Sequence, residues 1–314
     1  MNLHQFRFVQ EAVRRDLNLT ETAKALHTSQ PGVSKAILEL EEELGIDLFA
    51  RHGKRLKRVT EPGLRALESI EIIMREVTNL RRIGQEYSKQ DAGTLSIATT
   101  HTQARYFLPG PIAELRQRYP KVQVVLHQSV PEQVARLLRD DAADIGIATE
   151  SLAEHEGIVS LPCYDWQHVM VVPAAHALAA VERPTLEQIA GQTLVLYHPT
   201  VAGRTRIDAA FARARLAPQV ALEAIDSDII KTYVRLGLGV GIVTELAMRD
   251  EPPDSGLVAR PLGHLFGSNV TRVAFKRGAY LRHFVHAFTE LLSPRLTPAL
   301  VARAMSGQGS DYGI

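Results

Sequence analysis

At 314 residues the chain is too long for one compact unit and suits two or three domains, and its 45% hydrophobic content can fill their cores. The single cysteine, Cys163, excludes an intrachain disulfide framework and fits a reducing cytoplasm. The net charge of +1 does not by itself point to nucleic acid, but its distribution does: Arg51, Lys54, Arg55, Lys57 and Arg58 crowd residues 48–60 with no acid among them.

Residues 1–60 read as short helices with apolar residues three or four apart, as in Leu3, Phe6, Val9 and Val13. A helix over 19–26 is expected to be capped by Thr20, with Ala23 small enough for a close helix crossing. After a turn at His27 and Thr28, Ser29 caps a second helix that opens with Gln30 and Pro31. Val33, Ile37, Leu40 and Leu44 form its expected buried stripe. Its N-terminal polar face, Gln30, Ser34 and Lys35, suits base edges and phosphates when a helix enters a major groove by its N-terminus. The basic run follows, with a tight turn at Gly53. It reads as a hairpin wing along the phosphate backbone, supplying affinity rather than sequence choice.

Residues 61–88 form one long helix starting at Glu61 and Pro62. Ala66, Ile70, Ile73, Val77, Leu80, Gly84 and Tyr87 make a coiled-coil-like seam, broadened by Leu67 and Met74. No domain core lies adjacent in sequence to bury so long a seam, so dimerisation through it is expected. From residue 92 the texture changes to strands alternating with helices. Strands are expected at 94–98, 122–126, 144–148, 168–172, 193–197, 220–223, 239–243 and 270–275. Helices are expected through Ile112 to Tyr119, over 131–138 and over 280–292. Two such α/β lobes enclose a cleft for a small ligand at the C-terminal edges of their strands.

Several groups of residues, in this order and spacing, carry a family resemblance. They are Phe6 to Val13, Thr22 to Leu26, Ser29-Gln30-Pro31 with Ser34, Leu40-Glu41, Leu44-Gly45, Leu48 to Arg51, and Thr60 with Gly63. They resemble the winged helix-turn-helix of LysR-type transcriptional regulators, and the likeness runs on through residues 235–243. Residues 99–109, 147–150, 164–166 and 228–241 resemble most the CysB-like branch, activators of cysteine-regulon and sulfur-assimilation genes.

The resemblance implies an α/β chain with an all-α-rich N-terminal domain. The parts are a winged helix-turn-helix over 1–60, a linker and dimerisation helix over 61–88, a two-lobed sensor like the type II periplasmic binding proteins, with parallel and mixed sheets flanked by helices, and a tail over 295–314. Lobe I takes residues 89–163 and 265–294, and lobe II residues 164–264. It also implies a cytoplasmic homotetramer that binds double-stranded promoter DNA and RNA polymerase. Its small anionic effector would be an acetylserine, opposed by sulfate or thiosulfate, and no cofactor is implied. A regulator of sulfonate and sulfate-starvation genes that senses adenosine phosphosulfate is the alternative. DNA contacts are expected from Thr28, Ser29, Gln30, Pro31, Ser34, Lys35, Arg51, Lys54 and Arg55.

For the effector, the hydroxyls, amide and free backbone N–H groups of residues 99–103 lead into a helix whose dipole favours an anion. Thr100, Thr102 and Gln103 are the expected ligands, with Thr149 across the cleft and Trp166 either walling it or packed in a core. The family's second-lobe threonine is Ala202 here. Either one hydrogen bond is lost or Thr200 replaces it, which leaves the preferred effector open.

Other candidates carry less. His283 and His286 lack a third metal ligand. Gly237, Gly239 and Gly241 run into a strand rather than from strand to helix, so they are no dinucleotide fingerprint. Cys163 has no activating neighbour in sequence and reads as structural. A solute-binding protein would share the two-lobed cleft, but the DNA-reading segment and the lack of a secretory signal at residues 1–5 argue against it. A metabolic enzyme finds no nucleophile–base pair, metal cluster or cofactor motif.

Overall fold

Asn2 opens the first helix, α1 (Leu3–Arg14), by accepting from the backbone N–H of His4 and Gln5, and the Gln5 side chain returns a bond to the Asn2 N–H. The second, α2 (Leu19–Ala25), is capped by Asn18 and not by Thr20. Asp16 and Leu17 both take left-handed backbone angles, φ 51° and 63°, which end the preceding helix and deliver Asn18 to the cap position. Ser29 caps α3 (Gln30–Leu44) through the Gly32 N–H at 3.2 Å, and Gly45 ends it with a left-handed turn, φ 67°. Val33, Ile37 and Leu40 are fully buried; Leu44, in the last turn, is 38% exposed and leaves the expected stripe.

The wing is an antiparallel pair, β1 (Phe49–His52) and β2 (Arg55–Val59), with its turn at Gly53. The long helix α4 (Glu61–Ser88) starts against it. Gly63 N–H donates to Thr60 Oγ1 at 3.0 Å, and a Cβ at Gly63 would lie 2.2 Å from the Leu48 carbonyl oxygen, so only glycine fits. Phe6, Val9, Leu19, Ala23, Ile37, Leu48, Phe49, Leu56, Leu67 and Ile70 belong to one core. The seam along α4 therefore divides. Leu67 and Ile70 are buried in the DNA-binding unit itself, with Ala66 and Met74 packed against them, whereas Ile73, Leu80 and Tyr87 are exposed.

This computed structural model describes residues 1–53, 55–88, 92–149, 152–153, 155–201 and 203–307. Its two units are residues 1–85 and 86–314. In the second unit the elements run β3 (Ala92–Thr99), a π-helical turn (Gln103–Phe107), α5 (Pro109–Arg118), β4 (Lys121–Gln128), α6 (Pro131–Arg139), β5 (Ile145–Ala148) and β6 (Ile158–Pro173). A short 3₁₀ turn (Ala177–Ala180) leads to α7 (Leu186–Ala190), β7 (Thr193–Tyr197), α8 (Arg204–Arg213), β8 (Gln219–Ala224), α9 (Ser227–Arg235), β9 (Val240–Thr244) and α10 (Leu246–Arg249). The chain closes with β10 (Leu257–Pro261), α11 (Gly263–Phe266), β11 (Ser268–Lys276), α12 (His283–Leu292) and α13 (Pro298–Met305).

Among the described residues nine strands form one sheet in the order β4-β3-β5-β11-β6-β9-β7-β8, with β10 also on β6. Two half-sheets share β6. Residues 158–167 pair with β11, and residues 168–173 pair with β9 and β10. Each half has the same plan. The first strand, β3 or β7, lies parallel between the second, β4 or β8, and the third, β5 or β9. Strand order reverses at that first strand, which opens a crevice at the carboxyl ends.

The expected strand at 168–172 is thus the second half of a 16-residue strand. Pro162, at the register shift opposite Thr271 and Arg272, masked the first half. A lobe boundary between residues 163 and 164 falls inside this shared strand. Residues 298–305, expected in a tail, are helical, and Val301 and Ala304 are buried in the core of the first half with Leu161, Phe284 and Phe288.

Candidate DNA interface and effector cleft

The N-terminus of α3 presents Thr28, Ser29, Pro31 and Lys35 as exposed side chains, with Gln30 and Ser34 partly exposed beside them. Lys35 lies 3.7 Å from Glu39, one turn on, an exposed pair worth little. On β2, Arg55, Lys57 and Arg58 are exposed while Leu56 points into the core. Lys54 lies outside the described residues. Arg51 turns inward instead, and its guanidinium donates to buried Glu41 at 2.6 Å. The other Glu41 oxygen accepts from the Leu48 and Phe49 N–H groups at 2.8 and 3.0 Å. The carboxylate is buried but fully met, and it fastens the first wing strand to the reading helix. Sequence reasoning counted Arg51 with the phosphate contacts because its partner is ten residues upstream on another element.

In the second unit a cavity of about 350 Å³ opens at the carboxyl ends of the strands. Thr100, Thr102 and Gln103 line it after β3, Thr149 after β5, and Trp166 from β6, so five of the expected residues meet there; Ala202 lies outside the described residues. Thr200 faces the same cavity. Sequence reasoning did not assign Gln128, Ser129, Val130 and Pro131 after β4, Tyr197 and Val201 at β7, Ile225 after β8, or Thr244 at the end of β9. The strand-end rule that found Thr149 would have found these as well.

Thr99 ties β3 to β5 through the Ile147 carbonyl at 2.9 Å, fixing the turn that follows. Gln103 is 2% exposed, and its amide is held on both sides. Its Oε1 accepts from the Tyr164 hydroxyl, and its Nε2 donates to Thr271 Oγ1 at 3.3 Å, which leaves one amide N–H for a ligand. Tyr197 is buried, with its hydroxyl 2.5 Å from Ser227 Oγ and accepting from the Thr244 N–H at 3.2 Å; burial pushes it up to about 12. Its hydroxyl is thus engaged within the protein, and Tyr197 also lines the cavity.

The cavity wall contains no Lys, Arg, Asp or Glu among its described residues, but it includes His101, whose Nδ1 lies 3.4 Å from Gln128 Oε1 and whose Nε2 is buried without a partner. Trp166 Nε1 and His168 Nε2 are buried donors or acceptors without a partner. Both side chains close on Gly203, at φ 88°, where a Cβ would sit 2.8 Å from His168 Nε2 and 3.0 Å from the Trp166 ring. Burial, reinforced by Arg206, lowers His168 to about 4 and keeps it neutral. Cys163 is buried, pushed up to about 12 by burial. Glu86 Oε1 lies 3.1 Å from His283 Nδ1, and His286 is lowered by burial. Among the described residues no metal-holding cluster occurs, and no helix is long and apolar enough to cross a membrane.

Residues 3–64 match the family described as "Bacterial regulatory helix-turn-helix protein, lysR family", and residues 88–297 match "LysR substrate binding domain". The chain is 55% identical over 314 residues to the HTH-type transcriptional regulator CysB of Burkholderia cenocepacia, covering all of both chains. It is 44% identical to the regulator cbl of Escherichia coli, again over all of both chains. The crystal structure of the cofactor-binding domain of the Cbl transcriptional regulator, 42% identical, superposes with a TM-score of 0.64 over 68% of this chain and 93% of that one. The chain belongs to the LysR family of DNA-binding transcriptional regulators, within its CysB-like branch, and its work is regulation rather than catalysis.

Proposed function

We propose that this regulator controls sulfur-assimilation and cysteine-biosynthesis genes, and that its cleft binds a small anion such as acetylserine, opposed by sulfate or thiosulfate. One observation carries the reading. Hydroxyls and the Gln103 amide from the ends of β3, β5, β7 and β9 gather with His101 at the two points where strand order reverses, in a cavity with no Lys, Arg, Asp or Glu among its described lining residues. Such a set favours an anion without trapping it. The relatives' names support the sulfur assignment.

On this reading Thr28, Ser29, Gln30, Pro31, Ser34 and Lys35 meet the major groove, and Arg55 and the other free wing cations meet phosphate. The protein acts in the cytoplasm as a homotetramer that engages RNA polymerase. The effector shifts the relation of the half-sheets, and it must bind one arrangement better than the other for promoter binding to change. Calorimetry of the full chain against acetylserines, sulfate, thiosulfate and adenosine phosphosulfate tests the ligand class. Thr100→Ala is expected to lose the binding heat, and equal heats in wild type and variant would remove residues 100–103 from the site.

A further inference from the structure

The cavity wall is zoned. Toward the shared strand β6 it is polar and buried: Gln103 is 2% exposed, Thr149 7% and Thr244 1%. Toward the outer strands it is open, and polar Gln128 and Ser129 stand there beside apolar side chains. Val130 follows β4 and Ile225 follows β8, the outermost strands of the two halves, and they are 43% and 65% exposed. Pro131 and Val201 extend this apolar part. About 350 Å³ falls at the lower end of the range, roughly 300–1,000 Å³, of cavities that enclose drug-sized ligands. A bare tetrahedral oxyanion fills only the polar floor and leaves the apolar mouth in water.

We infer that the cleft is built for an organic oxyanion whose head sits on the polar floor and whose apolar tail, an acetyl group or a longer chain, lies between Val130–Pro131 and Ile225. The inference rests on the anion-binding reading of the floor and adds the chemistry of the rest of the ligand. Trp166, buried on β6 with its indole N–H unpartnered, borders the floor and supplies apolar surface where head and tail join. Covering Val130 and Ile225 with a hydrocarbon chain removes the exposed apolar area from water, so affinity must grow with chain length.

The test is calorimetry of the full chain against inorganic sulfate, straight-chain alkanesulfonates of one to six carbons, and N-acylserines from acetyl to hexanoyl. The expected result is a gain of about threefold to fourfold per methylene in at least one series, the fold-change that corresponds to about 0.8 kcal/mol. Which series rises names the head as sulfonate or carboxylate. In the double variant Val130→Ser, Ile225→Ser, whose fold is checked by its melting curve, the gain falls below about twofold per methylene. Affinities flat within twofold from sulfate to hexanesulfonate and from acetyl to hexanoyl overturn the tail subsite and leave the anion floor standing. No binding by any of them overturns both readings. A full gain retained in the double variant, together with a smaller oligomer by light scattering, assigns Val130 and Ile225 to a contact between copies and overturns the subsite.

Discussion

Tyr106 donates a hydrogen bond to Asp228 Oδ1 at 2.8 Å, joining the π-helical turn behind the effector floor to α9 in the other half of the sensor. Arg105 adds a contact to the same carboxylate at 3.3 Å, and Lys231 lies 3.2 Å from it. Burial alone would raise Asp228; the bonds from Tyr106 and Lys231 and the Lys231 charge outweigh it and hold the carboxyl below its usual range. A π-turn widens the helix by one residue, and here it carries Gln103 into the floor while Tyr106 reaches across. The clasp therefore favours the arrangement of half-sheets seen here. Tyr106→Phe is expected to lower acetylserine affinity severalfold and sensor stability by about 1 kcal/mol. Isothermal titration and urea unfolding measure both, and unchanged affinity would show that the clasp does not bear on the ligand.

Arg51 and Arg55 are neighbours in the wing with opposite expected phenotypes. Removing Arg51 leaves buried Glu41 with two backbone donors and an unmet oxygen, so Arg51→Ala should destabilise the DNA-binding unit by about 1–3 kcal/mol. Arg55→Ala should leave the melting temperature unchanged and reduce the salt slope of promoter binding by roughly one. Melting curves and a salt titration of binding separate the two. A stable Arg51→Ala with a reduced slope would return that residue to the phosphate contacts.

His168 predicts an acid sensitivity. Its pKa is about 4 in the folded chain and near 6.5 when unfolded, so between these values the unfolded state binds more protons and stability rises with pH. The contribution is complete above about pH 6.5 and is lost as pH falls toward 4, amounting to about 2 kcal/mol by pH 5. His286, also lowered by burial, adds in the same direction. Unfolding free energies of wild type and His168→Gln at pH 7 and 5 measure this. The variant should lose less on acidification, and parallel losses would discount His168.

Gly203 can be probed by one methyl group. Gly203→Ala meets both a left-handed backbone and the His168 and Trp166 rings, so a stability loss of about 1–2 kcal/mol and weaker effector binding are expected. Full affinity in a folded Gly203→Ala would show that Trp166 can yield without cost to the cleft.

The helix-turn-helix was legible because its signals are local. Ser29, Pro31 and Gly45 fix α3 within their own turns, and Ala23 is buried in the core that the helices share. The misplaced cap at Thr20 came from two good capping residues in one stretch, and only the left-handed angles at Asp16 and Leu17 decide for Asn18. The cavity was legible through residues at strand ends, such as Thr100 and Thr149, which line it. What holds it was not. Gln103 depends on Thr271, 168 residues away, and the apolar mouth depends on which strands are outermost, a property of the sheet and not of any local segment. The division of the α4 seam was not legible, because Leu67 and Ile70 serve a core whose other members lie between Phe6 and Leu56 on earlier elements.

Because β6 runs through both half-sheets, an opening of the sensor would hinge along it as a book does along its spine. Trp166, near the midpoint of that strand, would sit almost on the axis and move little. Val130 and Ile225, which follow the outermost strands of the two halves, would sweep the longest arc. A pair of spectroscopic labels at those two positions reads opening with the greatest gain, whereas the indole at the spine registers occupancy and is nearly blind to motion.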